Sequence, residues 1–500
     1  MTNFSFRCLL AALLCFLWLP NDASARIGYF WHISDLHLDS FYSSQGDIYR
    51  SCWQLGHANN GANELPGHYG HYNCDSPWSL VESAVKNMKA KQGDNVEFVL
   101  WTGDALSHSA QPLSAQKQHE LLRNITELLG RSFSSPFIFP VLGHEDGSSG
   151  LQKYKQMGEL WRHWLPTEAL VTFEQGGYYS IEQSKSPLRI VALNTNFMRQ
   201  DYETESNGRQ SLRWPAEYYV EPKTESSTLS AQDQLQAEQQ WLWLDEVLQK
   251  ALSKGETVYI VGHMPPGVDE RQLGPQLSGQ QSFTERNNRR YLELVRKYAS
   301  VIQGQFFGHL HSDTFRLMYD VKGTPISWLM VTPSVVPRKA GLGASNNPAL
   351  RLYKFDTSSG QLLDYTQYWL DLPLANRAQE PLWQLEYNLT HYYGLSEITP
   401  TELHNLAQRF SGKDVSWFNR YHRANAVRFQ SGTPCLGLCM LNHYCAITRL
   451  DYDEFRLCLE SEQLPLQSHA SVASCAVGVM FALLLLLLLL LQPAYNSANL

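Results

Sequence analysis

Short apolar runs recur along the chain at Ile27–Ile33, Val96–Thr102, Phe137–Leu142, Arg189–Leu193, Thr257–Val261 and Val301–Phe307. They are continuous rather than alternating, which is the mark of strands buried on both faces. Between them the apolar positions fall at helical spacing over Pro77–Lys91, Ser114–Leu129 and Ser230–Ser253. The last segment sets Leu235, Trp241, Leu244, Val247 and Leu248 on a core-facing stripe. Strands alternating with helices predict an α/β core, and in such cores sites form where loops leave the strand ends. After Leu370 the pattern changes. Leu382–Phe410 and Asp414–Cys458 read as helical and aromatic-rich, so residues 376–465 are expected to form a small helical C-terminal subdomain packed on a domain of residues 26–375.

The two ends of the chain read as processing signals. Phe6–Leu19 is apolar, is led by Arg7 and runs into Ala23-Ser24-Ala25, so residues 1–25 are expected to be a cleaved signal peptide. Val472–Leu491 is long enough to span a bilayer, with small residues upstream and a tail without Lys or Arg behind it. Residues 466–500 are therefore expected to anchor the protein to a membrane, as a glycosylphosphatidylinositol signal in preference to a transmembrane helix. Either route leaves the folded part secreted or on the outer face of the cell membrane. Once the leader and tail are set aside, six cysteines remain: Cys52, Cys74, Cys435, Cys439, Cys445 and Cys458. An even set in a secreted chain reads as three disulfides, Cys52 with Cys74 and the last four among themselves, with a zinc site from those four as the alternative. Asn124 and Asn388 stand in glycosylation sequons. A net charge of −8 argues against binding a nucleic acid duplex, and 43% apolar with 18% charged residues is ordinary for a globular chain of 500 residues.

The predicted strand ends carry metal-ligand chemistry: Asp35-Leu36-His37, Gly103-Asp104, Gly143-His144-Glu145-Asp146, Gly262-His263 and Gly308-His309-Leu310-His311. A single histidine or aspartate at such a place is ordinarily structural. The ordered series is different, because metals that activate water want imidazole and carboxylate ligands with a position left open. Asp35 and His37 are two apart at a strand end, so they are expected to project to one side. Asp104 follows a glycine that admits close backbone approach, and its two oxygens can bridge two ions. His263, His309 and His311 add three imidazoles.

Asp35-Leu-His37, Gly103-Asp104, Gly262-His263 and Gly308-His309-Leu-His311 resemble the calcineurin-like metallophosphoesterase superfamily. Within it the chain is similar to acid sphingomyelinase and its phosphodiesterase relatives. Trp101-Thr102-Gly103-Asp104 followed by His108, Leu193-Asn194-Thr195-Asn196 and Trp161-Arg162-His163-Trp164-Leu165 carry that likeness, which runs from Ile27 to Cys458. The first motif lies shortly behind the expected cleavage site, so a saposin-type domain is not expected, and the resemblance points to the branch lacking one. Ser107 stands where purple acid phosphatases place a tyrosine, so a ferric–tyrosinate site is not expected. The resemblance implies a β-sandwich flanked by helices and two zinc ions. Asp35, His37, Asp104 and His311 would hold one ion, Asp104, His263 and His309 the other, and His108 would contact the phosphate.

In that family the third motif is Gly-Asn-His followed by Asp or Glu, its Asn a ligand of the second metal and its His the acid that protonates the leaving alcohol. Here the residues are Gly143-His144-Glu145-Asp146. If the Asn is deleted, His144 is the acid and one ligand is missing; if both residues are replaced, His144 is the ligand and that acid is gone. The order His144-Glu145 and a short loop before Trp161 favour the deletion, and with it a weakened second metal site. A shift near 1 Å in a catalytic group can cost about 100-fold in rate. The expected function is a metal-dependent phosphodiesterase acting on a small phosphodiester or lipid headgroup, nucleotide-type or sphingomyelin-like, with no nucleotide cofactor. The alternatives are a weakened or inactive member acting as a cell-surface binding or regulatory protein, and a phosphomonoesterase.

Overall fold

The computed structural model describes residues 26–54, 64–109, 113–146, 150–183, 186–199, 231–271, 280–338, 345–430 and 434–460. The expected leader, the expected membrane-anchoring tail and residues 201–223 lie outside the described residues. Among the described residues no helix is long and apolar enough to cross a membrane.

Fifteen strands are described: β1 (Ile27–Ile33), β2 (Tyr42–Asp47), β3 (Phe98–Trp101), β4 (Phe137–Pro140), β5 (Tyr179–Glu182), β6 (Leu188–Ala192), β7 (Thr257–Val261), β8 (Val268–Asp269), β9 (Gln280–Gln281), β10 (Ile302–Phe307), β11 (Thr314–Tyr319), β12 (Pro325–Val331), β13 (Ala349–Asp356), β14 (Leu362–Leu370) and β15 (Trp383–Asn388). Twelve of them build two six-stranded sheets, ordered β15-β14-β13-β1-β3-β4 and β11-β12-β10-β7-β6-β5, and β8 pairs with β9 in a two-stranded one. β1, β3 and β4 run parallel in the first sheet, and β6, β7 and β10 in the second. Phe30 of β1 stacks on Phe98 and Tyr353 within its own sheet at 4.6 and 4.8 Å. It also meets Phe306 edge-on at 5.5 Å and Tyr259 at 5.8 Å, both from the other sheet. The aromatic core is thus the filling of a β-sandwich, and the α/β sandwich flanked by helices is the fold observed. Helices Trp78–Gln92, Ala115–Ser132 and Ala231–Lys254 match the expected segments within a few residues.

Two expectations are corrected. The region after Leu370 is not helical throughout: Trp383–Asn388 is an edge strand, antiparallel to β14 with Leu370 opposite Trp383 and Thr366 opposite Asn388. Its sequence, Trp-Gln-Leu-Glu-Tyr-Asn, alternates apolar and polar, a period of two that an aromatic-rich composition masks. Helices Pro400–Phe410 and Ser416–Asn425 follow, and Leu403, Leu406, Phe410 and Tyr421 join the same buried cluster as Phe30 and Trp101. The second correction is in the stripe of Ala231–Lys254. Trp241, Leu244 and Leu248 are buried, but Leu235 is exposed. At about 100° per residue it lies well round the helix from Trp241.

Candidate metal centre

Every expected ligand sits just past the C-terminal end of a parallel strand, and the loops are tied to one another. Asp35 N–H donates to the Gly103 carbonyl at 3.1 Å, His37 N–H to the Asp104 carbonyl at 3.0 Å, and Gly308 N–H to the His263 carbonyl at 2.9 Å. Asp35 and His37 do not project together by strand alternation as expected, because β1 ends at Ile33. Both have left the strand and take left-handed conformations, φ 53° and 42°, as do Asp104 at 53°, His309 at 66° and His311 at 53°. Such backbone costs about 1–3 kcal/mol per residue and persists only where the surroundings over-determine it, which is common at functional sites. The cross-loop hydrogen bonds supply that constraint.

The second and third loops pack with no room for side chains between them. A Cβ on Gly103 would lie 2.5 Å from Gly143 N, and one on Gly143 would lie 2.1 Å from both Asp104 N and Asp104 Oδ1. Asp146 locks this contact: its carboxylate accepts from the backbone N–H of Gly143 at 2.8 Å, Asp104 at 3.0 Å and Ala105 at 2.7 Å. Asn196 Nδ2 donates to the Gly143 carbonyl at 3.0 Å from the other side.

Two ligand groups result, sharing Asp104. In the first, His37 Nε2 lies 3.1 Å from His311 Nε2, 3.8 Å from Asp35 Oδ1 and 3.5 Å from Asp104 Oδ2, with His311 Nε2 3.3 Å from Asp35 Oδ1. In the second, Asp104, His144, His263 and His309 each offer a ligand atom within 4.8 Å of the others. His263 Nε2 is 3.1 Å from Asp104 Oδ2, and His144 Nδ1 is 2.8 Å from the same oxygen.

The imidazoles are already set for a cation. His37 Nδ1 faces the Leu106 carbonyl at 3.0 Å, His263 Nδ1 that of Thr102 at 2.8 Å and His311 Nδ1 that of Arg338 at 2.7 Å. A carbonyl only accepts, so each Nδ1 carries the proton and each Nε2 of a neutral ring presents a lone pair to the centre. Two lone pairs 3.1 Å apart, as between His37 and His311, repel unless a positive charge lies between them. Among the described residues His309 Nδ1 is buried with no hydrogen-bond partner. The electrostatics agree. Burial works against ionising Asp35 and Asp104, yet the surrounding imidazoles hold both carboxyls well below the usual carboxylate range. Burial also works against charging His37 and His263, but the adjacent carboxylates push both up to about 9. The residues present fit two divalent metals.

The Calcineurin-like phosphoesterase family model matches residues 28–313, and the Acid sphingomyelin phosphodiesterase C-terminal region matches residues 324–465. The acid sphingomyelinase-like phosphodiesterase 3b of Homo sapiens is 35% identical, across 94% of this chain and 99% of its own. The chain belongs to the acid sphingomyelinase-like phosphodiesterases of the calcineurin-like superfamily. Members named for other chemistry are near it as well. The cyclic GMP-AMP phosphodiesterase SMPDL3A of Bos taurus is 33% identical over 90% of this chain and 96% of its own. The sphingomyelinase phosphodiesterase C of Dictyostelium discoideum is 29% identical over 89% and 95%. The class is phosphoric diester hydrolase, and the superfamily depends on two metals.

Other expected residues of this family member fall as follows. His108 stacks on His37 with ring centroids 3.8 Å apart, and its Nδ1 pairs with Asp75 at 2.9 Å. Asp75 also accepts from Ser107 Oγ and lies 3.5 Å from Arg338. Neither Asp75 nor Arg338 was read from the sequence, since each is remote from any motif. The structural role of Asp146 was likewise missed, although it stands within the third motif. Trp161 packs edge-on against Trp101 at 5.7 Å while His163 is exposed, so that likeness reports packing below β3. Disulfides join Cys52 to Cys74, Cys435 to Cys439 and Cys445 to Cys458. Asn124 is half-buried on its helix, and Asn388 Nδ2 donates to Thr366 Oγ1.

Proposed function

We propose that this phosphodiesterase hydrolyses small phosphodiesters, nucleotide-type or sphingomyelin-like, with two zinc ions. The observation supporting this most directly is the pair of ligand groups meeting at Asp104. Asp35, His37, Asp104 and His311 would hold one ion and Asp104, His263 and His309 the other. Bound there, the pair would supply the Lewis acidity and water activation that diester hydrolysis needs. The protein's own groups do the rest. The carbonyls of Leu106, Thr102 and Arg338 fix three imidazoles in the ligating tautomer. Asp75 fixes His108 beside the first ion's place, where that ring and Arg338 would meet the phosphodiester. The relatives named for a cyclic dinucleotide and for sphingomyelin support a diester in preference to a monoester.

We further propose that the protein travels the secretory route, is glycosylated at Asn124 and Asn388 and is held by its tail on the outer face of the cell membrane. Three disulfides among the described residues support an oxidising compartment. The test is metal content by mass spectrometry together with hydrolysis of bis-p-nitrophenyl phosphate and p-nitrophenyl phosphate. Two zinc ions and preference for the diester are expected; less than one ion per chain with no turnover of either ester would overturn the reading.

A further inference from the structure

We infer that His144 is the fourth ligand of the second metal place, and that this place is the more zinc-selective of the two. The inference rests on the two-metal reading above. His144 Nδ1 lies 2.8 Å from Asp104 Oδ2 and 3.0 Å from His263 Nε2, which are themselves 3.1 Å apart. A tetrahedral ion bonded at about 2.0–2.1 Å holds its ligands roughly 3.3 Å from one another. The triangle therefore has the size of one coordination face, and His309 supplies the remaining corner.

The loop explains why residue 144 arrives there. Gly143 touches Asp104 and can carry no side chain, so His144 is the first position able to reach the centre from this loop. Asp146 then clamps Gly143, Asp104 and Ala105, with two residues between the glycine and the clamp. Glu145 N–H donates to Asp104 Oδ1 at 2.9 Å, which turns Oδ2 toward His144 and His263. This register accommodates a motif whose two middle residues are both replaced, with nothing deleted. An imidazole bound to a metal through Nδ1 is not free to protonate a leaving alcohol, so His144 is a ligand and not the acid.

The two places then differ in composition. The first has two carboxylates and two imidazoles; the second has one shared carboxylate and three imidazoles. Imidazole favours zinc, while oxygen ligands suit manganese and magnesium. The experiment uses the full chain, wild type and the variants His144→Ala and His144→Asn, titrated with zinc and with manganese and counted by mass spectrometry after equilibration against graded chelator. Wild type should hold two zinc ions. His144→Ala should hold the second at least about 100-fold more weakly, beyond what is typical for loss of a group behind a ligand. His144→Asn, which offers an amide oxygen, should regain part of the zinc affinity and accept manganese more readily. An Asn inserted between Gly143 and His144 should lower second-place occupancy, because it displaces the clamp. Two zinc ions held by His144→Ala with unchanged affinity, loss of both ions from it, or a gain on insertion would each overturn the inference alone. Wild type binding no metal would instead overturn the two-metal reading on which it stands.

Discussion

The two metal places share a carboxylate but differ in how they are held. At the first, Asp35, His37 and His311 are almost wholly buried, and both imidazoles are tied to carbonyls. At the second, His263 is equally fixed, but His309 Nδ1 has no partner among the described residues and His144 is 24% exposed. The first place is built into the sandwich; the second lies nearer the solvent side, beside the loop Gly143-His144-Glu145-Asp146. A ligand can change where the loop is clamped from behind, here by Asp146, because its backbone path is set independently of the side chain it presents. The same change at Asp35 or His311 would leave an uncompensated group in the core.

Substitutions break this comparison in a graded way. Asp104→Ala removes the shared ligand and should abolish diester turnover, by more than about 1,000-fold, with both metals lost; mass spectrometry finding one ion retained would contradict its bridging position. His37→Ala and His309→Ala should separate the places, the first variant losing the buried ion and the second the outer one. Asp146→Ala should act between these extremes. Four backbone N–H groups lose their carboxyl acceptor, worth about 1–3 kcal/mol, and melting should fall by several degrees. Zinc affinity should drop at the second place and hold at the first. Equal losses at both would show that the clamp serves the whole centre and not the outer loop.

The sandwich core was legible because its strands are continuous apolar runs: Ile27–Ile33 and Thr257–Val261 were read to the residue. The ligands were legible because they follow those runs directly. Three features escaped for physical reasons. β15 alternates within an aromatic region, so composition pointed to helix. The left-handed conformations of Asp35, His37, Asp104, His309 and His311 come from hydrogen bonds between loops far apart in sequence, which no local pattern carries. The third motif reads as a deletion from the order His144-Glu145 and the short loop behind it, although a double replacement spells the same four residues. The double replacement inferred above rests instead on where Asp104 and Asp146 lie in space, which no string carries.

The mildest prediction concerns protons and tests a likeness between the places. His37 in the first group and His263 in the second are each pushed up to about 9 by neighbouring carboxylates when no ion is present, whereas burial pushes His311 and His309 down. A ligating imidazole must be neutral, so below about pH 9 each ion has to displace the proton from one of the two raised rings. The sign follows: zinc affinity at each place should rise with pH through this range and fall on acidification, by about tenfold per pH unit for each proton displaced. Calorimetric titration in two buffers of different ionisation enthalpy measures the protons released near pH 7.5. The first place should release about one. A value near zero there would mean that His37 is already neutral, and that the lone pairs of His37 and His311 face one another without the proton that the ion-free centre needs.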